Sequence, residues 1–120
     1  MSVSDKLVKA RSLIEQSLNA LIVSHSINFD YRQLKIILKD GIHIHIVYNN
    51  YYEYSYSILF SHLELDRCRF DNYDKTWDVS TKPHYFHPRN KKIAISSNMS
   101  GDPDMDIPLL CKLLKSGKLK

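Results

Sequence analysis

Two short runs hold most of the side chains able to do chemistry: Arg69-Phe70-Asp71-Asn72, then Pro83-His84-Tyr85-Phe86-His87-Pro88. A strand end presenting Arg69 and Asp71 can face a loop presenting His84 and His87. That set suits metal-free cleavage of a phosphodiester. One histidine takes the proton of a ribose 2′ hydroxyl, the other protonates the leaving oxygen, and the arginine holds the phosphate. Histidine fits both roles because its pKa lies near neutrality, so both of its forms coexist. Asp71 would orient a histidine, and Tyr56 would add a hydroxyl at the margin of the site. The competing reading of the same residues is an ordinary polar loop.

Two further groups compete with that one. His43 and His45 stand two apart, so both rings project from one face of a strand and could share a metal. A metal site needs a third and usually a fourth ligand, and no Cys, Asp or Glu stands ready to complete this one. No metal or other cofactor is expected. Six of the eight tyrosines fall between Tyr48 and Tyr73. Tyrosine is a good strand residue whose hydroxyl reaches a sheet margin, but it can also contact a phosphate or stack on a base. Alternation puts Tyr54 and Tyr56 on the core side, which favours the structural account.

The elements that must position these residues follow from periodicity. Leu7, Ala10, Ile14, Leu18 and Leu21 recur at helical spacing, with Ser4 as a plausible N-cap, and predict a helix over 4–24. Leu34, Ile36 and Leu38, then Ile42, Ile44 and Ile46, alternate on either side of Asp40-Gly41 and predict a hairpin within 29–48. A two-residue turn there would set the leucines opposite His43 and His45. A three-residue turn, Lys39-Asp40-Gly41 with Gly41 left-handed, pairs Leu38 with Ile42 and puts all six aliphatics on one face. The opposite face then carries Lys35, Lys39, His43 and His45. Alternation resumes through Tyr54, Tyr56 and Ile58, and a short strand over 67–70 turns Cys68 and Phe70 inward and Arg67 and Arg69 outward.

Residues 71–90 break all periodicity and read as a loop bearing His84 and His87, with Lys82 and Arg89 as further basic side chains. So long a structureless stretch in a compact domain is more often functional than idle. Residues 91–96 suit an edge strand. Asp106, with Pro108 in the first turn, opens a last helix over 106–116 that Gly117 ends. The expected fold is α+β, one domain over 1–120. It is an antiparallel meander of four to five strands within 29–96, with the N- and C-terminal helices packed on its greasy face.

The composition is that of a globular protein, 43% hydrophobic and 25% charged, and the 120 residues are too few for two ordinary domains. Lys and Arg number 17 against 13 Asp and Glu, a net +4 that permits a nucleic-acid partner without demanding one. The densest charge of both signs lies in 64–92, with seven basic and five acidic residues. Cys68 and Cys111 form no metal or disulfide pattern and fit a reducing compartment, although one bridge between them is also allowed. Charged residues from Asp5 to Glu15 interrupt any signal-peptide apolar region, and no run approaches the ~20 apolar residues that span a bilayer. A cytoplasmic protein without a membrane partner is expected.

Taken in order, these motifs resemble the TumE-like toxins of bacterial and archaeal toxin–antitoxin pairs. The similarity runs from Tyr31 through the Leu34–Gly41 hairpin, the Tyr54-Ser55-Tyr56 strand and Arg69-Phe70-Asp71-Asn72, where the family has Arg-Tyr-Asp-Asn. It continues through Lys82-Pro83-His84-Tyr85-Phe86-His87, like the family's Phe-Pro-His-His-x-His, to the helix Asp106–Leu114, and covers most of 31–116. Where the family often has His-His after Asp-Asn, this chain has Tyr73-Asp74, and Tyr85 replaces the middle histidine of the later motif. The resemblance implies a small toxin acting inside the cell on RNA and neutralised by an antitoxin encoded beside it. Joined to the residue chemistry, the expectation is a metal-independent ribonuclease using His84, His87, Arg69, Asp71 and Tyr56, with homo-oligomers allowed. The alternative is a non-catalytic RNA- or protein-binding module, or an inactive toxin homologue. It would use the basic sheet face: Lys35, Lys39, His43, His45, Arg67 and the nearby Lys82 and Arg89.

Overall fold

The computed structural model describes all 120 residues: a sheet of seven antiparallel strands in sequence order, open at both edges, with two helices on one face. The elements are α1 (Val3–Leu18), β1 (Ile22–Asn28), β2 (Gln33–Leu38), β3 (His43–Tyr48), β4 (Tyr54–Leu59), β5 (Arg67–Asp71), β6 (Tyr85–His87), β7 (Ile95–Ser96) and α2 (Pro103–Ser116). The α+β meander is as expected, but the sheet is larger than four to five strands. No helix is long and apolar enough to cross a membrane.

The cap of helix α1 lies two residues earlier than expected. Ser2, not Ser4, caps it, in a reciprocal pair with Asp5 that satisfies two otherwise orphan amides. Leu7, Ala10, Ile14 and Leu18 form its buried stripe. The helix stops at Leu18 rather than running to 24, and a single 3₁₀ turn leads into β1. Helical spacing carries on to Leu21, but the residues that follow, Ile-Val-Ser-His-Ser-Ile, are, apart from His25, β-branched or small and polar and lose little by leaving a helix. As a strand they gain backbone hydrogen bonds along the free edge of β2.

The β2–β3 turn has three residues. Leu38 N–H donates to the Ile42 carbonyl at 2.9 Å, and Gly41 takes φ 86°, which glycine adopts without Cβ strain. All six aliphatics of this hairpin are buried on one face. They join the α1 stripe, Tyr48, Tyr54, Tyr56, Ile58, Cys68, Phe70 and the inward side of α2 in a single core. Cys68 and Cys111 are both buried and unbridged.

The stretch 71–90 is not structureless. Asp71 completes β5, and Tyr85–His87 pairs with β5 as β6, which in turn pairs with the two-residue β7. The edge strand expected over 91–96 is thus the seventh, shortened to Ile95–Ser96. Helix α2 opens at Asp102, which accepts from the Asp104 amide, with Pro103 behind it. Asp106 therefore lies inside the helix and Pro108 in its second turn. Gly117 ends α2 in the left-handed conformation, as expected.

Candidate active site on the open face

The side of the sheet away from the helices is arranged in rows set by strand register. Along one row Ser26, Lys35, His45, Ser57, Arg69 and His87 stand opposite one another from β1 to β6. A parallel row holds Ile37, His43, Leu59 and Arg67, and another holds Val47, Ser55, Asp71 and Tyr85. Lys35, His43, His45, Arg67 and Arg69 do share one face. Four strand steps, roughly 19 Å, separate Lys35 from His87.

At the β5–β6 end of these rows lies a tight group. Arg69 and Asp71 are two apart on β5, and the Arg69 Nε contacts Asp71 Oδ2. His87 stands opposite Arg69, and its Nε2 is 3.4 Å from Asp71 Oδ1. Tyr85 stands opposite Asp71 and is fully buried, yet it belongs to no part of the central core. The connection from 72 to 84 covers it from the open side, and Trp77 meets the His87 ring edge-on at 6.0 Å. Burial raises the Tyr85 phenol pKa, against a smaller lowering by the Trp77 backbone.

The polar atoms of this group are left short of partners. Asp71 is 2% exposed, and its Oδ1, the His87 Nε2 and the Tyr85 hydroxyl are buried without a hydrogen bond of good geometry. Burying a carboxylate this way is unfavourable, and such groups concentrate where chemistry needs them. Catalytic hydrogen bonds are often long until a substrate is bound. With Nε2 turned to Asp71, Nδ1 is the His87 nitrogen left for a substrate proton.

Arg69 and His87 also line a cleft of about 260 Å³ together with Arg67, Lys91 and Lys92. Four fixed cations against the one carboxylate of Glu64 leave this small space net positive, which suits a phosphate. Cys68 borders the cleft, but burial pushes its thiol up to about 12, too high for a nucleophile at neutral pH. Lys91 and Lys92 are absent from the residues that periodicity and motif single out, as is the Trp77 contact. A Lys-Lys pair in a surface loop carries no local signal, and only the return from β6 to β7 brings it beside Arg67.

Other expected site residues lie elsewhere. His84 and His87 do not converge on one substrate, because alternation along β6 sends them to opposite sides. His84 Nδ1 is 2.8 Å from the Tyr54 hydroxyl, and the two rings stack on the helix-covered side. Phe86, on the same parity as His84, stacks on Phe70 there. Tyr56 is likewise no margin of the site. It is buried in the core, donates to Asp106 Oδ2 at 2.7 Å and pairs with the Tyr48 hydroxyl, and desolvation drives its pKa strongly upward.

Arg89 is tied to Asp66 and lies over the Phe60 ring, 4.1 Å from its centroid, so it clamps the β4–β5 turn rather than facing a ligand. Lys82 is exposed on the 72–84 connection, and Lys39 sits in the β2–β3 turn, its amide bonded to the Leu21 carbonyl. The His43 and His45 rings are 6.1 Å apart, and no third His, Cys, Asp or Glu groups with them. Burial, and then the neighbouring charges of Lys35, His43 and Arg67, lower the His45 pKa.

No family model matches the chain, and neither a curated protein nor a solved structure matches it.

Proposed function

We propose that this chain is a TumE-like toxin that cleaves RNA, without a metal, at a phosphodiester held in the basic cleft beside Asp71 and His87. The observation that carries the reading is the His87–Asp71–Arg69 group, its buried atoms short of partners, opening onto a cleft ringed by arginine and lysine. In this scheme His87 takes the 2′ hydroxyl proton, and the 2′ oxygen attacks phosphorus. The bond to the 5′ oxygen breaks, a 2′,3′-cyclic phosphate forms, and the 5′ oxygen receives a proton from water. Arg69, Arg67, Lys91 and Lys92 carry the charge that builds on the phosphoryl oxygens. Asp71 orients the imidazole and stabilises its protonated form, as a buried carboxylate does for a histidine base.

Purified protein should cleave single-stranded RNA in EDTA, and His87→Ala and Arg69→Ala should each reduce cleavage at least about 100-fold. Cleavage persisting in both variants would sink the assignment. As a toxin it should arrest growth on induction, with relief by a neighbouring antitoxin gene.

A second reading rests on the Lys35–His45–Ser57–Arg69–His87 row, which gives a basic track across the sheet with no need for chemistry. RNA bound with a steep salt dependence, yet never cut, would favour that binding module.

A further inference from the structure

We infer that the RNA engaged by this protein is single-stranded, its bases stacking on aromatic side chains that crown one end of the sheet. This inference rests on the RNA reading above and specifies its substrate class.

The strands run alternately up and down, so the β1–β2, β3–β4 and β5–β6 connections share one end and the other three connections share the opposite end. All five exposed aromatic side chains lie at the first end: Phe29 and Tyr31, Tyr51 and Tyr52, and Tyr73. The exposed leucines and isoleucines, Leu21, Leu63, Leu65, Ile93 and Ile95, lie at or beside the other. Met1 and Pro103 border Tyr52, but no exposed leucine or isoleucine lies at this end, and a surface this rich in rings suits flat, polar-edged bases.

The backbone that carries these rings is fixed. Asn28 Oδ1 accepts the Tyr31 amide at 3.0 Å, and Asn49 Oδ1 accepts the amides of Tyr51 and Glu53 at 2.9 and 3.0 Å. Asn72 ties the third connection to the second, accepting from the Tyr54 amide and donating to the Tyr52 carbonyl. Tyr52 and Arg32 take φ 62° and 55°, left-handed positions that glycine or asparagine would occupy with less strain. Tyr31, Tyr51 and Tyr52 are nevertheless 78%, 81% and 82% exposed, so burial does not explain the residue types. With the backbone of the tips already ordered, a stacking ligand has only side-chain rotation left to restrict.

Neighbouring tips are two strand spacings apart, about 10 Å, which single-stranded backbone spans in one or two nucleotides. The tips carry both signs of charge, with Asp30 and Glu53 beside Arg32 and Lys6, and so suit ring faces rather than phosphates. The phosphate-compatible cations lie on the adjoining open face. A duplex keeps its bases stacked on one another and offers this end no ring to bind.

The test uses full-length protein and a fluorescent RNA of about 12 nucleotides, 2′-O-methylated so that it cannot be cleaved. It should bind at least about tenfold tighter single-stranded than as a blunt duplex. Replacing Tyr31, Tyr51 and Tyr52 together by alanine should weaken single-strand binding at least about tenfold, whereas the corresponding triple phenylalanine variant keeps it within about threefold. Thermal melting checks folding, and Tyr51→Ala alone reports the same loss on a smaller scale. Equal affinity for single strand and duplex overturns the inference, as does unchanged single-strand binding by the alanine variants or equal weakening by alanine and phenylalanine. If the parent cleaves RNA while the alanine variants bind unchanged, only the stacking falls. If the parent neither binds nor cleaves RNA, the RNA reading falls with it.

Discussion

The two faces of this sheet treat ionisable side chains in opposite ways. On the helix-covered face, Asp106 is 1% exposed and fully satisfied: its oxygens accept from the Tyr56 hydroxyl, the Ser100 amide and hydroxyl, and the Gly101 amide. On the open face, Asp71 is as deeply buried, yet one of its oxygens has only a long contact to His87. A satisfied buried carboxylate anchors structure. An under-satisfied one next to a histidine and a basic cleft is, on the function proposed above, the one that meets a ligand. The histidines divide the same way, with His84 stacked and bonded to Tyr54 and His87 beside the cleft. Burial alone therefore does not separate scaffold from site; the completeness of hydrogen bonding does.

The largest effect that could break this contrast is on turnover. His87→Ala should lower RNA cleavage by at least about 100-fold, while His84→Ala leaves it within a few-fold and lowers the melting temperature instead. Equal losses of cleavage would mean that the two faces do not divide the work. Next comes the pair of carboxylates, compared by denaturant unfolding. Asp106→Asn should cost about 3 kcal/mol, because several hydrogen bonds to a buried charge are weakened together. Asp71→Asn should change stability by no more than about 1 kcal/mol, since of the two partners it releases Arg69 is 44% exposed and solvates freely, and His87 makes only a long contact of 3.4 Å. That variant should still lose cleavage at least about tenfold.

A smaller effect sharpens the covered side. Gly101 has φ 94°, and a Cβ there would come within 3.0 Å of Tyr54 Cδ1. Gly101→Ala should destabilise by roughly 1–2 kcal/mol in the same unfolding measurement. The smallest effect belongs to His45 on the open face. Its native pKa lies below the ordinary value of 6.5, so between those two values the unfolded chain binds more protons than the folded one. Its contribution is complete above the ordinary value and is lost as pH falls through the native one. His45→Gln should flatten that part of the stability–pH curve, and a curve unchanged by the substitution would remove His45 as its source.

Much of the scaffold was legible in the chain because local rules decided it. The parity of Leu38 and Ile42 around Asp40-Gly41 demanded a three-residue turn, and the Gly117 stop needed only the left-handed freedom of glycine. Strand β1 was hidden because the helical stripe runs on to Leu21, and only the open edge of β2 made Ile22–Asn28 a strand. Asp106 resembled a cap in sequence, but the cap is Asp102, four residues earlier, and Asp106 is held by a hydroxyl 50 positions away.

For the site, residue types were readable and their assembly was not. Arg69 and Asp71 share a face by simple alternation, so their pairing follows from period two. His84 and His87, three apart, look like partners in a loop, yet pairing of β6 with β5 imposes that same period and sends them to opposite sides. Lys91, Lys92, Trp77 and Tyr85 join the site through connections whose paths no local propensity encodes. Alternation, caps and turns are contests between neighbours along the chain, and the amino-acid order settles them. Which buried polar atom is left without a partner depends on contacts between distant segments, and those exist only once the sheet has formed.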